Sequence, residues 1–185
     1  MRLLTAFLGM ALLVGCASSA GGSVPPATVA RVDLQRYQGT WYELARLPMF
    51  FQRHCLQSQA HYRLLEDGSL GVRNRCRTAA DQWQQVEGRA VPQQAGRTDK
   101  LWVRFDNWFS RLLPNLSRGQ YWVLYLDDDY RVALVGHPNR DYLWLLARTP
   151  EVAPALRDKL LGVAREQGYD TGELIWRTPD SRFAP

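Results

Sequence analysis

The stretch GTWYELARLP, residues 39–48, decides how the rest of the chain is read. It opens on a glycine and a tryptophan, and it carries Glu43 and Arg46 three residues apart. Its aromatic and apolar content suits a strand. Successive side chains of a strand point to opposite faces, so Glu43 and Arg46 fall on opposite faces. A strand packed on one side keeps its charges on the other. One of these two charges must therefore point into a space that is not an ordinary dry core.

Runs of the same kind follow. With the first at 40–48, short alternating segments cover 57–65, 70–77, 82–91, 99–105, 119–126, 131–136 and 142–148. Turn signals separate them. Glu66-Asp67-Gly68-Ser69 is a tight hairpin turn, and 93–98, 127–129 and 137–140 are further connections. Strands joined in order by short links predict an all-β fold, an eight-stranded up-and-down antiparallel sheet. Closing that sheet into a barrel removes its exposed edges.

Alternation then separates an inner face from an outer one. Ala60, Tyr62 and Leu64 oppose Gln59, His61 and Arg63; Leu70, Val72 and Asn74 oppose Gly71, Arg73 and Arg75. Val86, Gly88 and Ala90 oppose Gln85, Glu87 and Arg89, and Leu101, Val103 and Phe105 oppose Trp102 and Arg104. The runs 121–126, 132–135 and 142–147 differ, being apolar on both faces, so something must cover their outside. Leu156, Leu160, Val163 and Ala164 form a helical stripe just downstream. Pro154 suits a first turn and Gly168 a stop, which predicts one flanking C-terminal α-helix over 154–167. A short last strand is expected over 173–177.

The N-terminus reads differently. One Arg precedes an apolar run from Leu3 to Val14, too short to span a membrane and suited to a secretory signal. Leu13-Val14-Gly15-Cys16 resembles the bacterial lipoprotein box. That resemblance implies a lipid on Cys16, which becomes the mature N-terminus; an ordinary signal peptide with an incidental cysteine is the alternative. Ala17 and Ser18 follow in place of the Asp that retains lipoproteins at the inner membrane of enterobacteria. This implies a lipid-anchored protein of the outer membrane, facing the periplasm. The expected organisation is a signal over 1–15, a flexible tether over 16–31, a barrel domain over 32–178 and a tail over 179–185. With Cys16 taken, Cys55 and Cys76 remain, and in an exported chain two cysteines imply one disulfide. The bridge requires Cys55 to sit in the first loop and fold back on the end of the third strand. No metal site or cofactor is indicated, because isolated cysteines without neighbouring ligands make a poor zinc site.

The net charge is +5, yet no Lys/Arg run appears and the basic residues are interleaved with acids. That pattern reads as a solvated mixed surface and argues against nucleic acid, while leaving a mild preference for anionic membrane open.

A barrel of eight antiparallel strands with one late helix on its flank resembles the lipocalins, and three local patterns match. Gly39-Thr40-Trp41 after 33–37 resembles the family's Gly-x-Trp motif following a short 3₁₀ turn. Asp129-Tyr130 resembles the second motif, with Asp128 where Thr is usual, and Arg148 resembles the basic residue of the third. The longer runs GTWYELAR, YRVALVG and DYLWLLARTP are similar to bacterial lipocalins, a branch close to apolipoprotein D. The resemblance implies that Arg148 packs across Trp41 and, with Gly39, closes one end of the barrel. If Trp41 points inward, Glu43 and Ala45 do too, whereas Tyr42, Leu44 and Arg46 point out. Glu43 then makes either a wet polar spot in the lumen or a hydrogen bond to Tyr62 or Tyr125.

The expected ligand contacts follow from the inner set. Ala45, Ala60 and Gly88 leave room; Val72, Val103, Phe105, Val123 and Trp144 supply an apolar lining; Glu43, Tyr62, Asn74, Tyr121 and Tyr142 add polar groups. Plain core filling is the alternative at each position. The mouth loop 107–118 holds Trp108, Phe109, Leu112, Leu113 and Leu116 beside Arg111 and Arg118, readable as a lid, a membrane anchor or a packed loop. The family resemblance implies a carrier of a fatty acid or lysophospholipid with no catalytic residue. A lipid-processing enzyme, a pigment binder and a scaffold for envelope partners are the rival readings. There is no Gly-x-Ser-x-Gly, and His54, His61 and His137 are scattered. Monomer and homodimer are both left open.

Overall fold

The computed structural model describes residues 24–106 and 118–183. The signal segment 1–15, Cys16 and the loop residues Trp108 to Leu116 lie outside the described residues. A one-turn helix α1 (Leu34–Tyr37), capped by the Asp33 carboxylate on the Gln35 and Arg36 amides, leads into the barrel. It is an α turn where a 3₁₀ turn was expected. Eight strands follow: β1 (Gly39–Arg46), β2 (Gln57–Leu64), β3 (Leu70–Arg77), β4 (Trp83–Gln94), β5 (Arg97–Phe105), β6 (Arg118–Leu126), β7 (Val132–Gly136) and β8 (Leu143–Ala147). Each pairs antiparallel with the next, and β1 pairs with both β2 and β8, closing the barrel. Helix α2 (Pro154–Glu166) and the two-residue β9 (Ile175–Trp176), which pairs with the end of β1, complete the fold.

The hairpin between β4 and β5 is longer than the sequence predicts. A polar run with Pro92 reads as a loop, yet pairing continues to Gln94 and Arg97 across a register shift at Pro92. The shift absorbs the missing amide of proline, and Gly96 at φ +77 makes the tight turn.

Two cores result. The inner one gathers Trp41, Tyr62, Leu70, Val72, Leu101, Val103, Val123 and Leu146 among others. The outer one packs Leu44, Leu124, Leu134 and Leu145 under Leu160 and Ala164 of α2, which are both fully buried. This is the cover demanded by strands that are apolar on both faces.

Residues 24–31, expected within a flexible tether, are instead fastened to the barrel. Pairing of β5 with β6 ends at Lys100 and Trp122, and the Val29 amide takes the next β6 carbonyl, that of Val123, at 2.9 Å. The Thr28 hydroxyl donates to Asp99, and Arg140 donates to the Val24 carbonyl. Part of the expected tail is packed as well: a 3₁₀ turn at Asp180–Phe183 sets the Phe183 ring under Arg77, and Gln57 donates to Asp180.

Candidate functional site

The closed end is built around Trp41, which is fully buried and donates its indole N–H to the Tyr37 carbonyl at 2.9 Å. The Arg148 guanidinium lies 3.9 Å from the Trp41 ring centroid. It donates to the carbonyls of Arg36, Thr40 and Tyr130. Gly39 has φ +91, and a Cβ there would stand 3.3 Å from Arg148, so both backbone and space call for glycine. Above this plug three tyrosines form a polar floor. The Tyr62 hydroxyl donates to that of Tyr121 at 3.0 Å, and the Tyr37 and Tyr121 hydroxyls share a bond of 2.8 Å. Burial pushes the Tyr62 hydroxyl up to about 12 and also raises Tyr37 and Tyr121 well above the ordinary tyrosine range, so all three stay neutral.

The wall above the floor is apolar and opens toward the mouth. Leu70, Val72, Ala90 and Leu101 are buried, whereas Ala60, Asn74, Val86, Phe105, Tyr121 and Trp144 keep partial exposure. Asn74 sits directly opposite Ala60 and Val86 on this inner face. Its side-chain carbonyl is buried and has no hydrogen-bond partner among the described residues.

The charges of β1 resolve the question raised by residues 39–48. A register shift falls between Glu43 and Ala45 in the pairing of β1 with β8. Such a bulge adds a residue to one strand and breaks its alternation. Glu43 stands opposite Leu146 and Arg46 opposite Trp144, both inner-face residues, while Ala45 stands opposite Leu145 on the outside. Arg46, expected outside, is thus inside at 2% exposure, and Ala45, expected on the lumen wall, packs in the outer core. Glu43 bonds neither to Tyr62 nor to Tyr125. Its carboxylate takes a 2.8 Å bond from Arg46 and a 2.9 Å bond from Gln52. Burial raises the Glu43 pKa despite the Arg46 cation beside it.

Gln52 joins this pair to the rim. It accepts from the Trp144 indole at 3.1 Å and donates to Ser58, while Arg46 donates to the carbonyls of Gln52 and Cys55. Cys55 and Cys76 form a disulfide with Cα atoms 5.3 Å apart, tying the first loop to the end of β3. Phe50 and Phe51 project from that loop, 78% and 59% exposed.

The structure thus gathers Tyr62, Val72, Val103, Val123, Ala60, Phe105, Tyr121 and Trp144 in one inner cluster, with Asn74 and Glu43 on the same face. Tyr142 falls just before β8, at the rim, where its ring meets Phe51, His137 and Trp144. One more expectation is corrected. Gly88 leaves no free room, since a Cβ there would meet the Arg104 carbonyl oxygen at 2.3 Å. Arg46, Gln52, Ser58 and Tyr37 were not foreseen at the site. Only Arg46 carried a signal, the three-residue offset from Glu43.

A lipocalin-like domain model matches residues 32–179. The chain is 39% identical over 169 residues to outer membrane lipoprotein Blc of Escherichia coli (strain K12), covering 89% of each protein. It is 32% identical to bovine (Bos taurus) apolipoprotein D over 136 residues, 70% of this chain and 67% of that one. Among solved structures it superposes on Per a 4, a major allergen from cockroaches, with a TM-score of 0.63 and 15% identity, covering 87% of this chain and 97% of that one.

Proposed function

The chain belongs to the lipocalin family, and from that premise we propose that it is a lipid carrier of the bacterial outer membrane. It holds one fatty acid or lysophospholipid in the barrel, acyl chain down and head group toward the rim. The lipid on Cys16 tethers it, and the barrel performs no chemistry. The observation that carries this reading is the inner wall itself: Tyr37 and Tyr62 are buried at the closed end, while the inward-facing Ala60, Asn74, Val86, Phe105 and Trp144 above them keep partial exposure. An apolar, one-ended space with a few polar groups near its opening suits a chain-like amphiphile. The ionisable groups inside are already engaged: the tyrosines hold one another, and Glu43 is held by Arg46 and Gln52.

The test is a titration with palmitate and with lysophosphatidylglycerol, read by native mass spectrometry, comparing the parent with Ala60→Phe. Ala60 faces inward and is partly exposed, whereas a side chain at Gly88 would strike the β5 backbone. We expect one ligand per barrel in the parent. In Ala60→Phe uptake should weaken more than tenfold, with the melting temperature held within a few degrees. Undiminished uptake in a folded Ala60→Phe overturns the placement, and failure of both ligands to bind the parent overturns the ligand class.

A further inference from the structure

The arginines of the barrel are spread along the sequence, but strand register brings them together. Arg89 of β4 stands directly opposite Arg104 of β5, and Arg104 directly opposite Arg118 of β6. All three are exposed on the outer face. Neighbouring strands lie about 4.8 Å apart, so the row spans roughly 10 Å. Arg73 and Arg75 of β3 flank it on the same face, opposite Glu87 and Gln85. Glu87 is engaged by Arg73 at 2.9 Å, and Arg89 reaches Asp67 in the hairpin turn. Arg104 has no partner among the described residues, and Arg118 lies 4.8 Å over the Trp102 ring.

Like charges placed directly opposite on a sheet are unfavourable for folding. Three in a row, of which Arg89 alone is paired with an acid among the described residues, therefore add little to stability. They become favourable against a surface of closely spaced negative charges. The opposite wall of the barrel is covered by α2, so this face is the one free to meet such a surface. Trp102 adds an aromatic ring of the kind that settles at the head-group level of a bilayer.

We propose that the outer face of β4 and β5 with the start of β6, where Arg89, Arg104 and Arg118 stand side by side, docks the barrel on a bilayer bearing anionic phospholipid head groups. Choosing a lipid surface over another polyanion rests on the envelope placement given above; the docking itself does not depend on what fills the lumen. The barrel then lies with this flank on the membrane.

The experiment uses the chain from residue 16 onward, which keeps every described residue, with Cys16→Ser to remove the lipid. Its partition is measured on phosphatidylcholine vesicles with and without phosphatidylglycerol. We expect binding only to the anionic vesicles, fading as salt shortens the screening length. Each neutralised arginine should weaken partition about fivefold, so Arg104→Gln with Arg118→Gln should lose about 25-fold. The paired Lys substitutions should retain binding, and the Gln pair should melt no lower than the parent because it relieves repulsion. Equal binding to both vesicle types, or full binding by a folded Gln pair, overturns the proposal. So does arginine-dependent binding of inorganic polyphosphate by a chain that ignores vesicles, which would assign the row to free phosphate. Because lumen ligand plays no part in the readout, failure here is distinct from failure of the carrier reading.

Discussion

The two ends of the barrel treat polar groups in opposite ways. At the closed end every group that enters is claimed. Arg148 spans three backbone carbonyls while covering Trp41, and the three tyrosine hydroxyls bond to one another. Asp99 is fully buried and takes two bonds from Arg97 and a third from Thr28. At the mouth the accounting is incomplete. Arg46 Nε and the Asn74 carbonyl are buried without partners among the described residues, and two phenylalanines stand in solvent. An unmet buried polar atom costs free energy that a packed end avoids. The closed end is thus built for stability, and the mouth leaves buried polar groups unmet among the described residues.

Three experiments test that contrast, starting with the largest effect. Trp41→Ala should cost about 3–5 kcal/mol by emptying the plug, lowering the melting temperature on the order of 10 °C. Trp144→Ala, at the partly exposed rim, should cost much less; equal losses in thermal melts would abolish the distinction. Second, reducing the Cys55–Cys76 bridge should cost about 3 kcal/mol, from a sequence separation of 21 residues. Denaturant melts with and without reductant measure it. Hydrogen exchange should then rise in the first loop before it rises at the tyrosine floor.

The third and smallest effect is a dependence on acid. The bonds from Arg97 hold the Asp99 carboxyl down at about 2, below its ordinary value of 3.8. A depressed carboxylate stabilises the fold above its unfolded pKa, and that contribution fades as pH falls from about 4 through about 2. Glu43, raised by burial, works the other way: its ionised form is the costly one, so acid relieves it. In melts between pH 5 and 2, Asp99→Asn should flatten the acid limb of the stability profile and Glu43→Gln should not. The reverse outcome would exchange the roles of the two ends.

The strands and the flanking helix could be read from residues alone, because each rests on a local period, whereas the plug was implied only by the resemblance of short motifs to a known family. What escaped depends on a single inserted residue or on neighbours distant in sequence. Alternation assumes one residue per pleat, and the irregularity between Glu43 and Ala45 sends Arg46 in and Ala45 out. A second one between Val123 and Tyr125 turns Tyr125 toward α2 and away from Glu43. Gly88 reads as spare volume, yet its hydrogen is required by the approach of the β5 backbone. The arginine row is invisible in a linear chain, since only register places residues 89, 104 and 118 abreast. The small residues of 24–31 look like a linker by composition, but Asp99, Arg140 and a β6 carbonyl hold them.

That last fastening sets the length of the leash. With the chain held from Val24 onward, eight steps separate residue 16, the proposed site of the lipid, from the folded body. Covalent geometry caps that reach at about 28 Å. On the proposed anchoring, the body would stay in a thin layer beside its own membrane, where a lipid could change hands without crossing open water.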